Sequence, residues 1–93
     1  MSNYKITKYT YERAKELGLT VEVSKFPLKK LDVYKNDLYL ASIGDSKYMD
    51  YPNYIIVYGQ IHANERKRLY VNRHKKNSDV KYSKQWLALN LLW

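Results

Sequence analysis

The chain has 93 residues, 45% apolar and 15% aromatic, enough for one modest core and too few for most enzyme scaffolds with a deep cleft. It carries a formal net charge of +8 and no cysteine, which excludes a disulfide framework and a thiolate zinc site. No apolar run approaches the roughly 18 residues of a spanning helix, and MSNYKITKY lacks the apolar stretch of a secretory signal, so a soluble intracellular chain with no membrane partner is expected.

Thr7 to Leu17 predicts a helix of good helix formers, with a threonine to cap its start and Gly18 just past its end. Thr20 to Ser24 alternates Val21 and Val23 with polar residues, and Pro27 follows where a missing N–H harms no ladder. Lys30 to Lys35 and Leu38 to Ile43 are β-prone runs joined by Asn36-Asp37, a pair that tolerates the positive φ of a two-residue hairpin turn. Together these predict a three-stranded antiparallel meander. Gly44-Asp45-Ser46 then reads as a strand-to-helix turn in which Asp45 or Ser46 is the N-cap.

From Pro52 the period becomes helical, either as one long helix to Lys76 or as two shorter ones broken at Gly59. Asn77-Ser78-Asp79 predicts a turn, and KYSKQWLALNLLW a closing helix with Tyr82, Trp86, Leu89 and Trp93 on one stripe. Trp86 and Trp93 are expected to be largely buried within the fold or in a homodimer, with the C-terminal helices covering the sheet. The expected fold class is α+β, with residues 1–93 as a single basic domain.

Motifs for chemistry are sparse. Gly-Asp-Ser at 44–46 shares three residues with the nucleophile block of GDS-type esterases, but the histidine and acid that would activate such a serine have no counterpart at that family's spacing. His62 and His74 stand twelve apart with no second ligand at helical metal-site spacing. The three glycines stand alone, so no phosphate-cradling loop exists. No catalytic residue, metal or cofactor is expected, and the chain is read as non-enzymatic.

The charge is segregated: residues 61–93 hold eight Lys or Arg against Glu65 and Asp79. Such asymmetry describes a polyanionic partner, of which nucleic acid is the commonest and an anionic membrane surface the second. On a helical wheel of about 100° per residue with Arg66 at the origin, Arg73, Leu69, Tyr70 and His62 fall within about 60° of it, and Lys67, Arg68, His74 and Lys75 at about 80° to 200°. Arg66 and Arg73 are therefore expected to turn inward and form structural ion pairs with Asp45, Asp50 or Asp32. Lys67, Arg68, Arg73, His74, Lys75, Lys76, Lys81 and Lys84 are the residues expected to meet nucleic acid.

The order YTYERAKELG, DVYKNDLYLASIGD, KYMDYPNYI, HANERKRLYVNRHKK and a closing LLW resembles a family of short basic proteins of unknown function encoded by nucleocytoplasmic large DNA viruses, including the giant viruses of amoebae. The resemblance implies a viral product of the virion or of the factory in host cytoplasm. It makes duplex DNA the expected partner, bound through its phosphates without base readout, with genome packaging as the setting. The alternative is a virion structural or protein-interaction module that docks through the C-terminal apolar helix on other virion proteins or on a second copy of itself.

Overall fold

The computed structural model describes residues 2–75 and 79–93. Its elements, in order, are α1 (Lys8–Glu16), β1 (Thr20–Val23), β2 (Lys29–Lys35), β3 (Leu38–Asp45), α2 (Tyr51–Tyr58), α3 (Gln60–His74) and α4 (Lys84–Leu91). The fold is α+β, as expected, and the chain divides into two compact units, residues 1–48 and 49–93.

In the first unit the Thr7 side chain accepts from the Thr10 N–H at the start of α1. At the other end Gly18 takes φ +70, so that Leu19 N–H reaches Ala14 O at 2.8 Å and Gly18 N–H reaches Lys15 O at 3.2 Å. This is a full Schellman closure, which satisfies two carbonyls that a helix end otherwise leaves bare. The chain turns directly into β1. The three strands form an antiparallel sheet in the order β1-β2-β3, and Asn36 and Asp37, at φ 50 and 67, make the hairpin turn.

The β2–β3 register slips after the turn. Tyr34 faces Tyr39, but Val33 faces Ala41, which leaves Leu40 as an extra residue. The bulge puts Ser42 opposite Asp32, and a one-residue change of register reverses which face a side chain occupies. Leu31, Val33, Ala41, Ile43 and Val21 take the apolar side and are all buried. On the other side Asp32, only 1% exposed, accepts from Ser24 Oγ at 2.7 Å, Ser42 Oγ at 2.6 Å and Lys25 N–H at 3.1 Å. Tyr39 Oη lies 2.6 Å from Ser42 Oγ, extending the chain of hydroxyls to the surface. Burial alone would raise the Asp32 pKa; the hydroxyls of Ser42 and Ser24, the Lys25 N–H and the Lys25 charge outweigh it and hold the carboxyl below its ordinary value.

In the second unit the helical segment breaks at Gly59, whose φ of 92 and ψ of 169 suit glycine alone. The N-cap of α2 is Asp50, not Asp45 or Ser46, and its carboxylate accepts from the N–H and side-chain amide of Asn53. Asp45 instead accepts the Lys47 N–H, and Ser46 Oγ donates to Pro27 O. Ser83 caps α4, and Tyr51 N–H donates to Leu92 O, tying the start of α2 to the end of α4. The closing helix is rotated from its expected stripe: Leu87 and Leu91 are fully buried, and Trp86 and Trp93 are partly exposed. Lys76, and Asn77 and Ser78 of the expected turn, lie outside the described residues.

A candidate nucleic-acid interface

The basic helix α3 presents a different side inward from the one its sequence suggests. Ala63 is fully buried, and Lys67, Tyr70, Val71 and His74 are half-buried. That stripe centres about 80° from Arg66 on the wheel. The misleading signal is Leu69, which is apolar and lies beside Arg66 and Arg73 on the wheel but is 37% exposed and does not mark the core. Arg66 and Arg73 consequently face solvent, and neither is in an ion pair among the described residues. Within the second unit the inward pair expected with Asp50 is not formed among the described residues: Asp50 caps α2, and both arginines are exposed on α3.

Arg66 meets rings in place of carboxylates. Its guanidinium lies over Tyr54, 5.4 Å from the centroid. Tyr54 in turn neighbours His62 at 5.7 Å, Trp93 at 6.0 Å and Tyr58 at 6.1 Å, and Tyr58 meets His62 at 4.8 Å. Trp93 stacks almost parallel on Tyr70, at 4.3 Å and 9°, and Tyr70 meets His74 at 4.4 Å. Gln85 Nε2 donates to Tyr70 Oη; burial nevertheless raises the phenol's pKa, with that bond working against it. The result is a continuous array of rings drawn from α2, α3 and the end of the chain.

On the other side of α3, Lys67 Nζ lies 4.8 Å over the Tyr51 ring. Tyr51 Oη donates to Asn64 Oδ1 at 2.8 Å, and Gln60 Nε2 donates to both oxygens. An open cleft of about 350 Å³ runs here between Tyr51, Asn64, Lys67, Arg68, Val71 and Asn72. Asn64 uses its carbonyl oxygen inward, which leaves its N–H groups for a ligand. Arg68 is held by Glu65 through two hydrogen bonds, which lower the Glu65 pKa and raise that of Arg68.

The residues expected to meet nucleic acid thus occupy different settings. Arg73, Lys75, Lys81 and Lys84 are exposed, Lys67 and His74 are half-buried against rings, Arg68 has a carboxylate partner, and Lys76 is not described. Sequence reasoning missed the ring array, although a signal was present. Tyr54, Tyr58, His62, Arg66, Tyr70 and His74 recur at every fourth position, the spacing of one ridge on a helix surface.

Among the described residues no three His, Cys, Asp or Glu side chains gather as a metal-binding group. No helix there is long and apolar enough to cross a membrane. Comparison with protein-family models, with curated proteins and with solved structures gives no match.

Proposed function

We propose that this is a small non-enzymatic nucleic-acid-binding protein that holds duplex DNA by its phosphates without reading bases. One observation carries the reading: in residues 49–93, eight Lys or Arg face three carboxylates, and Arg66, Lys67, Arg73, Lys81 and Lys84 are in no ion pair among the described residues. Cations left unmatched by their own fold project a field outward, and on DNA they displace condensed counterions whatever the sequence. The viral resemblance, taken as a further part of the proposal, makes that duplex the viral genome, with packaging or a virion-associated role as its setting.

A protein-interaction role draws its support from Ile56, Val57 and Ile61, which are 74%, 60% and 89% exposed. The closing helix supports it less, since Leu87 and Leu91 are already buried.

The test is titration with random-sequence duplexes at several salt concentrations. Replacing Lys67, Arg73, Lys81 and Lys84 together by alanine is expected to weaken binding to unrelated sequences equally. The salt dependence should become shallower by roughly 3 to 4, at about 0.9 for each phosphate no longer neutralised. A variant with the affinity and slope of the wild type would remove the reading.

A further inference from the structure

We infer that the ring array of the second unit is a stacking platform for the unpaired bases of a single-stranded nucleic acid. The inference rests on the nucleic-acid reading above and adds a second mode of contact to it. Three observations converge. The rings emerge at the surface: Tyr58 is 59% exposed and lies against the exposed His62, while the partly exposed Tyr54 meets both and in turn meets Trp93.

Cations flank them, since Arg66 covers Tyr54 and Arg73 lies about two turns further along the same side of α3. No carboxylate pairs with either arginine among the described residues, so none of those competes with phosphate for them.

Charge and ring chemistry together select the occupant. An acidic peptide would satisfy the arginines but has no use for a row of π faces. An aliphatic segment would cover the rings but would leave the guanidiniums desolvated and unpaired, at a cost. A single strand offers both complements at once: flat bases that stack on aromatic side chains whatever their identity, and a backbone that runs along cations. Paired bases are stacked within the duplex and cannot reach Tyr58 or His62, so the platform distinguishes strandedness rather than sequence. From His62 to Arg73 the side of α3 measures about 16 Å, room for more than one nucleotide.

The experiment measures binding of the full chain to an oligo(dT) strand of about 12 nucleotides and to a random duplex of equal length, a size within the range of single-strand sites. Tyr58→Ala/His62→Ala is expected to weaken single-strand binding at least tenfold and to change duplex binding by less than about twofold. Tyr58→Phe should bind the strand as the wild type does, and Tyr58→Leu, which keeps apolar surface without a π face, should not. Both residues are exposed, and circular dichroism verifies that each variant is folded.

Single-strand binding unaffected by the double substitution, or lost equally from strand and duplex, would overturn the platform and leave the phosphate reading standing. A wild-type chain that binds neither strand nor duplex would overturn both. Tyr58→Leu binding as well as Tyr58→Phe would also overturn it, because apolar contact alone would then suffice.

Discussion

The two units differ in how much charge they bury: both carry exposed ion pairs, but among the described residues only the first encloses a carboxylate and a lysine on its sheet. In residues 1–48 polar groups are turned back on the fold: Asp32 is buried under two serine hydroxyls and a backbone N–H, and Lys30, 4% exposed, lies over the Tyr4 ring. Lys8 pairs with Glu12 and Arg13 with Glu16 along α1. In residues 49–93 the cations mostly meet rings or solvent, and the Arg68–Glu65 pair stands at the surface. The difference shows that net charge alone is a poor guide to a binding surface. What matters is how much of the charge the fold has already used.

The largest expected effect tests the first unit. Asp32→Ala removes an acceptor from Ser24, Ser42 and the Lys25 N–H and leaves them without it in a buried site, so it should cost about 3 kcal/mol or more in a denaturant melt. Duplex affinity of the folded fraction should be unchanged. Asp32→Asn sharpens the point through pH. The folded carboxyl titrates below its unfolded counterpart, near 3.9, so its contribution is complete above about pH 5 and is lost as pH falls through the folded value. The wild type should lose stability down that acid limb, and the asparagine variant should lose less.

Next come two glycines, one in each unit. Beyond the adjoining residues, an added Cβ at either would meet no atom within 4 Å, so the cost of alanine is conformational. Gly59, at φ 92 and ψ 169, occupies a region that other residues scarcely visit, and Gly59→Ala should cost about 2 kcal/mol. Gly18, at φ 70, sits in the ordinary left-handed region, and Gly18→Ala should cost about 1 kcal/mol. Gly59→Ala should also disturb nucleic-acid binding, because the break lets Tyr54 of α2 meet His62 and Arg66 of α3. Equal losses at the two positions, or unaltered binding in Gly59→Ala, would mean that this break does not position the rings.

The parts legible in the sequence were the local ones. Thr7, Gly18 and Asn36-Asp37 act on the residues beside them, so the ends of α1 and the hairpin turn fell within a residue or two of expectation. The Asp32 network depends on the bulge at Leu40: continuing the register of the turn would set Asp32 against Ala41 and send Ser42 to the other face. No turn residue announces that extra position. The phase of α3 differs from expectation because Leu69 looks like a core residue and is exposed, while the tolerated burial of Lys67 depends on Tyr51, sixteen residues earlier in the chain. The four-residue recurrence of rings was readable, but its meaning depended on Gly59 breaking the helix and on Trp93 arriving from α4.

The smallest expected effect on stability bears most directly on α3. A buried arginine–carboxylate pair, once broken, costs about 3 to 5 kcal/mol because a charge is stranded. Arg66 is exposed and lies over the face of Tyr54, an interaction worth about 0.5 to 1 kcal/mol at such a site. Arg66→Ala should therefore lower stability by no more than about 1 kcal/mol, and Arg73→Ala, exposed and without such a ring, by less than about 0.5 kcal/mol. Their effect on nucleic acid should be disproportionate: each should weaken both strand and duplex and make the salt dependence shallower by up to about 0.9. A loss of several kcal/mol for Arg66→Ala would instead require an inward carboxylate partner. It would move Arg66 from the surface that meets a ligand to the interior of its own fold.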